Sequence, residues 1–369
     1  MSNCVVTHRR TLHRIPEINF ELPKTIAYIE SVLSPLHCTI THPIDGSVCA
    51  FFDAGKQTAI AFRADMDALA LQEDSSVPYC STHAGKMHAC GHDGHTAMLL
   101  SLAAYLSENT STLPYNVLLL FQPAEETTGG AKPLCESGVL SKYTVQQIFG
   151  LHLWPNLEKG KIVTCSGAMM AQSNEIDITI QGKSVHLSQA ANGLDAMKAG
   201  MDYVQRAYAM MDAIDPEIPR ILRFGKFDSG TVRNAISGHT HLLGSLRTYD
   251  AQTFAHCSSQ LHAIAKELEE ETGCTFHVIV RDGYAPVWNH EGLYKTVCDQ
   301  LGDDAPLRLP TPSLAGEDFS FYQKEVPGVF FFLGLGQSPE LHAVTFDFDD
   351  ETVLPCGVDF LKKLLYLHY

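Results

Sequence analysis

The sequence predicts an α/β fold, a mainly parallel-sheet domain interrupted by an α+β domain of ferredoxin-like βαββαβ order. Three observations predict it. Short apolar runs alternate with helical segments through the first half, period-two strands take over after about residue 168, and α/β character resumes near Tyr284. The expected division is one domain of residues 1–167 and 283–369, with residues 168–282 inserted into it. A chain of 369 residues is long enough to build two cores.

Taken in order, "TAIAF" (Thr58–Phe62), "NVLLLF" (Asn116–Phe121) and "QIFGLH" (Gln147–His152) read as strands. "MHACGHDGH", Met87 to His95, reads as a loop, and the helix after it is expected to start at Thr96 with apolar residues all round. Beyond residue 168, "NEIDITIQG" puts Ile176, Ile178 and Ile180 on one face of a strand. Leu194, Met197, Met201, Val204, Tyr208 and Met211 then recur at three- and four-residue steps, as the apolar stripe of a helix would. Two strand-like runs follow, "RILRFGKF" and "HLLGSLRTY", then a helix from Ala251 to Thr272 and the run "TFHVIV".

Composition narrows the function. A formal net charge of −16 argues against nucleic acid as a partner, since a binder needs a basic face to displace counterions. The densest apolar run, "VPGVFFFLGLG", is strand-sized and too short to span a membrane, and the opening residues do not resemble a signal peptide. A cytoplasmic protein that binds no membrane is expected. The eleven cysteines are scattered and never form CxxC, so reduced, structural thiols are expected rather than a disulfide framework.

Each strand of the first domain hands over to a carboxylate or an imidazole. "IAF" runs into "RADMD", "VLLLF" into "QPAEE", "IFG" into "LHLWP", and "VFFFLGLG" is followed shortly by "LHAV". Open α/β sheets bind ligands beyond the carboxyl ends of their parallel strands. Cys90, His92, Glu126, His152 and His342 are therefore candidate metal ligands. A lone histidine or buried cysteine is more often structural, and His8, His13, His37, His42, His241 and His262 are read that way. Recurrence of a strong ligand after strand upon strand favours the metal reading. Five donors including a thiolate exceed one tetrahedral site, which points to two metal ions and a metal-binding catalytic domain. Neighbouring side chains of an extended segment point opposite ways, so Glu126 is assigned as ligand and Glu125 as the proton shuttle beside it.

These segments resemble a known family. "MHACGHDGHTAMLL", "FQPAEE…GGA", "GLHLWP…G", "AGEDFSFY…PG" and "LH" before the last helix are similar, in order and over nearly the whole chain, to the dimetal amidohydrolases and metallopeptidases of the aminoacylase and carboxypeptidase type. The branch is that of hippurate hydrolases, auxin-conjugate hydrolases and N-acetyldiaminopimelate deacetylases. The resemblance implies two divalent ions per subunit, with zinc, manganese, cobalt or nickel all compatible with the donor set. It implies hydrolysis of the amide bond of small N-acyl amino acids, and a lid at residues 168–282 that also forms a homodimer. Its ligands fall on Cys90, His92, Glu126, His152 and His342, and its catalytic glutamate on Glu125. Its lid histidine falls on His186, polarising the scissile carbonyl. Asn234 and Arg247 match substrate-binding positions, with Arg247 suited to the α-carboxylate.

Some positions depart from the branch. A Pro-His pair is replaced by Ala190–Ala191, and "NVIP" becomes "NAIS" with Ser237. "RADMD" lacks the ligand histidine of other branches, so Asp65 is expected to orient a ligand instead. Two other readings remain at this stage: a metal-dependent dipeptidase or carboxypeptidase of the same fold, and a non-catalytic metal-binding protein.

Overall fold

The computed structural model describes residues 2–369. The chain divides into two compact units. One comprises residues up to Met169 together with Val287–Thr311 and Asp318–Tyr369; the other comprises Met170–Pro286 and Pro312–Glu317.

The first unit is built on an eight-stranded sheet. Its centre is four parallel strands in the spatial order Asn116–Gln122, Ala59–Asp65, Val145–Trp154 and Gly328–Gly334. Val48–Phe52 and Ile162–Thr164 pair antiparallel on either side. Every residue of Ala59–Asp65, Asn116–Gln122 and Gly328–Gly334 is buried, as in a sheet covered on both faces. Parallel direction brings Asp65, Gln122, Trp154 and Gly334 to one edge of the sheet.

Helix His92–Asn109 packs beside this sheet and begins four residues before the start expected at Thr96. Gly91 makes the break with a left-handed φ of 87°, and its carbonyl accepts from the amides of Gly94 and His95. The polar run "HDGH", which reads as loop, is thus the first turn of a helix buried from His92 to Leu100.

The second unit is a four-stranded antiparallel sheet in the order Thr275–Tyr284, Gln172–Gln181, His239–Thr248 and Ile221–Ser229. Helices Ala196–Asp212 and Ala251–Thr272 share one core with it, in which Ile176, Ile178 and Ile180 are fully buried. Chain order is β-α-β-β-α-β, the split arrangement. The first helix packs only part of the predicted stripe: Met211 is buried and Leu194, Val204 and Tyr208 lie against the core. Met197 and Met201 are 41% and 54% exposed, while Ala199, Gly200, Tyr203, Ala207 and Met211 face inward. The reason is close approach: a Cβ at Gly200 would stand 2.9 Å from Thr240 Cγ2, so the small residues define the packed face and turn the methionines aside.

In the first unit, helix Ser2–His13 is held by a buried ionic cluster. Arg9, with no exposed surface, donates to Asp93 at 2.9 Å, Asp347 at 2.8 Å and Asp350 at 3.2 Å. His13 Nδ1 donates to Asp93 Oδ2 at 2.7 Å and its Nε2 faces Glu73 Oε1 at 3.4 Å. Such a charge is tolerated only while paired, so Arg9→Met is expected to destabilise the protein by about 3–5 kcal/mol. Urea denaturation reads this as a lower midpoint, and a loss below about 1 kcal/mol would mean that the cluster does not hold the helix. Burial acts to raise the Glu73 carboxyl, but hydrogen bonds from His13, Ser75 and the Ser81 amide prevail and bring it from 4.5 to about 2. A depressed folded value gives stability that is present above pH 4.5 and lost as pH falls towards 2. Glu73→Gln should flatten this acid limb of the stability profile.

Candidate metal centre

Three side-chain groups at the carboxyl edge of the first unit's sheet offer converging donor atoms. Cys90, Glu126 and His342 present atoms within 4.8 Å of one another, as do His92, Glu125 and Glu126, and as do Asp65, His92, His95 and His152. All five expected ligands are in this neighbourhood. Cys90 Sγ lies 3.6 Å from His152 Nε2, and Glu126 Oε1 lies 3.3 Å from His342 Nε2 and 3.7 Å from His92 Nε2.

Hydrogen bonds on the far side of two rings decide which nitrogens are available. His92 Nδ1 donates to the Asp67 carbonyl at 2.9 Å, and His152 Nδ1 to the Leu153 carbonyl at 2.7 Å. A carbonyl only accepts, so both rings carry a proton on Nδ1 and turn Nε2 inward, where a metal could take the place of any second proton. His92 Nε2 and Glu126 Oε1 are buried and make no hydrogen bond. Orphaned buried donors of this kind, together with imidazole, carboxylate and thiol groups, fit a divalent cation.

The electrostatics agree. Burial acts to lower His92, yet Asp65, Asp67 and Glu126 prevail and raise it to about 10, which marks a pocket that favours positive charge. Burial pushes the Cys90 thiol well above its usual range, with Glu126, Glu125 and Asp65 adding to the shift. A bound cation inverts that balance and favours the thiolate. Burial and the neighbouring His95 hold His152 well below its ordinary value, so it is neutral, as a ligand must be.

Three further residues shape the centre through hydrogen bonds. His95 is buried, donates from Nδ1 to Asp65 at 2.6 Å and accepts the Leu153 amide on Nε2 at 2.9 Å, so both nitrogens are taken. Asp65 also accepts from Arg63 at 2.8 Å and lies 3.7 Å from His92 Nε2. Asp67, which sequence reasoning missed, accepts the amide of Glu125 at 3.0 Å on one oxygen and that of Glu126 at 3.2 Å on the other. The signal was present in "RADMD", where a second carboxylate follows Asp65 at a spacing of two.

One local expectation is corrected. Glu125 and Glu126 do not sit in an extended segment: Ala124 adopts a left-handed φ of 58° and the glutamates open a turn, so both reach within 4.8 Å of His92 rather than pointing opposite ways. The strand expected over Gln147–His152 runs from Val145 to Trp154 and carries His152 within it. His342, itself left-handed at φ 65°, is fixed by its amide to the Ala89 carbonyl at 2.8 Å.

The remaining predicted residues belong to the second unit. His186 pairs with Ala235 across a short bridge, and the Asn234 carbonyl accepts the Leu187 amide at 3.1 Å, which brings His186 and Asn234 into one loop cluster. Arg247 is half-buried, donates to the Leu314 carbonyl at 3.0 Å, and has no carboxylate paired with it among the described residues. Ala190 and Ala191 are exposed in the turn Leu187–Asn192, while Ser237 is buried and bonded to Ser229 at 2.8 Å.

The sequence and the fold each match known proteins. The model of peptidase family M20/M25/M40 matches residues 61–367. An uncharacterized hydrolase of Staphylococcus epidermidis is 33% identical over 374 residues, covering 98% of this chain and 97% of the relative. A protein of methicillin-resistant Staphylococcus aureus, provisionally described as an aminohydrolase, superposes with a TM-score of 0.92 at 29% identity, covering 98% of this chain and 95% of its own. A Bacillus subtilis dinuclear metal-binding peptidase of the M20 family superposes with a TM-score of 0.87 at 27% identity, covering 99% of this chain and 97% of its own.

Asp67 supports the turn from beneath, so Asp67→Ala is expected to lower divalent-ion affinity by about 10–100-fold. Calorimetric titration checks this, and unchanged affinity would show that the turn keeps its shape without the aspartate.

Proposed function

We propose that this chain, which belongs to peptidase family M20/M25/M40, is a metal-dependent hydrolase that cleaves the amide bond of N-acyl amino acids to a carboxylic acid and a free amino acid. The observation that carries the reading is the pairing of orphaned buried donors with a second carboxylate, Glu125, on the same turn as Glu126. Cys90, His92, Glu126, His152 and His342 are the residues that would hold two divalent ions. Bound there, the ions supply Lewis acidity and make water nucleophilic near neutral pH.

The chain's own groups account for the rest. Glu125 takes the proton of the attacking water and returns it to the departing nitrogen, as its place beside a ligand carboxylate allows. His186 is assigned to the acyl carbonyl oxygen, where a donor stabilises the charge that develops. Arg247, desolvated enough to lower its pKa, is assigned to the α-carboxylate together with Asn234. A guanidinium with no carboxylate paired to it among the described residues supports an anionic substrate and favours acyl amino acids over neutral amides.

A homodimer through the second unit is part of the proposal. Ile221–Ser229 is an edge strand, and Met197, Met201, Phe227 and Val232 expose 41%, 54%, 41% and 59% of their surface on or near it.

Glu125→Gln is expected to retain full metal content while turnover of N-acetyl amino acids falls by about 10²–10⁴-fold. Near-normal turnover would remove Glu125 from the mechanism, and turnover of dipeptides but not acyl amino acids would move the substrate class. Arg247→Ala should raise KM more than it lowers kcat. Met201→Glu should convert the dimer to a monomer in sedimentation, and an unchanged mass would exclude this face.

A further inference from the structure

His186 is exposed, yet its ring is not left to rotate. It forms the cap of the turn Leu187–Asn192, where its Nδ1 accepts the backbone amide of Ser188 at 3.3 Å and lies 2.9 Å from the Ser188 hydroxyl. A backbone N–H can only donate, so Nδ1 must offer a lone pair there. In the neutral ring the proton is then on Nε2, the opposite of the arrangement in His92 and His152.

We propose that Ser188 is a positioning residue that fixes His186 as an Nε2–H donor. The inference rests on the reading of His186 as the group that meets the acyl carbonyl, and it sharpens that role. A ring held in this tautomer stabilises negative charge on oxygen but has no free lone pair with which to accept a proton. Proton transfer then falls to Glu125 alone, and the two groups divide the work between an electrophile and a base.

The test uses the zinc-loaded full chain with ¹⁵N-labelled histidine, and His186→Ala identifies the signals. Long-range ¹H–¹⁵N correlation is expected to show His186 protonated on Nε2 and bare on Nδ1. In Ser188→Ala, which keeps the longer amide contact at 3.3 Å but loses the shorter hydroxyl contact at 2.9 Å, the Nδ1-protonated form should appear beside the other and kcat should fall by about three- to tenfold with KM little changed. Ser188→Thr should restore both readouts. A wild-type ring protonated on Nδ1 overturns the proposal, as does a Ser188→Ala enzyme with unaltered signals and kcat. If the wild-type chain hydrolyses no N-acyl amino acid, the functional reading fails, and the ring signals still decide this one.

Discussion

The metal centre depends on an imbalance of charge at the sheet's edge. Arg63 pairs with Asp65 and Asp318, and no lysine or arginine among the described residues pairs with Glu126. Burying carboxylates and a thiol together is costly unless a cation joins them. Among the described residues only the imidazoles of His342 and His92 face Glu126, and they hold its carboxyl below the usual range despite burial. What the chain supplies is geometry: ring nitrogens turned by carbonyls, and a glutamate pair hung from one aspartate.

That geometry comes from rigid elements joined by strained ones. Four parallel strands set the distances, and short turns aim the side chains. Ala124 and His342 both adopt a left-handed backbone that costs a non-glycine residue about 1–2 kcal/mol. Such conformations persist where their surroundings over-determine them. Here the Asp67 carboxylate holds one turn and the Ala89 carbonyl the other. The strain sits in the connectors, while the four central strands keep their parallel pairing with one register shift at Ala59/Ile60.

Much of this was legible in the sequence because apolar runs mark buried strands and their ends mark the site. The helix Ala251–Thr272 and the isoleucine alternation were plain for the same reason. Other features were hidden by physics that composition does not carry. The first turn of helix His92–Asn109 is polar because it faces the site, so its residues read as loop. The apolar stripe of that helix was right at Met211 and its neighbours and failed at Met197 and Met201, since glycine and alanine mark a close approach that hydrophobicity ignores. The turn at Glu125 depends on a left-handed alanine, for which no residue type gives warning.

The cluster around Arg9 has a consequence for biogenesis. Its partners Asp347 and Asp350 lie 338 and 341 residues further along the chain. Ribosomes add about 5–20 residues per second, so this guanidinium waits on the order of tens of seconds for its acids. Segment Pro312–Glu317 likewise reaches the second unit long after that unit's first strand has emerged. Helix Ser2–His13 therefore cannot complete its ionic cluster until the helix that begins at Asp350 has been made.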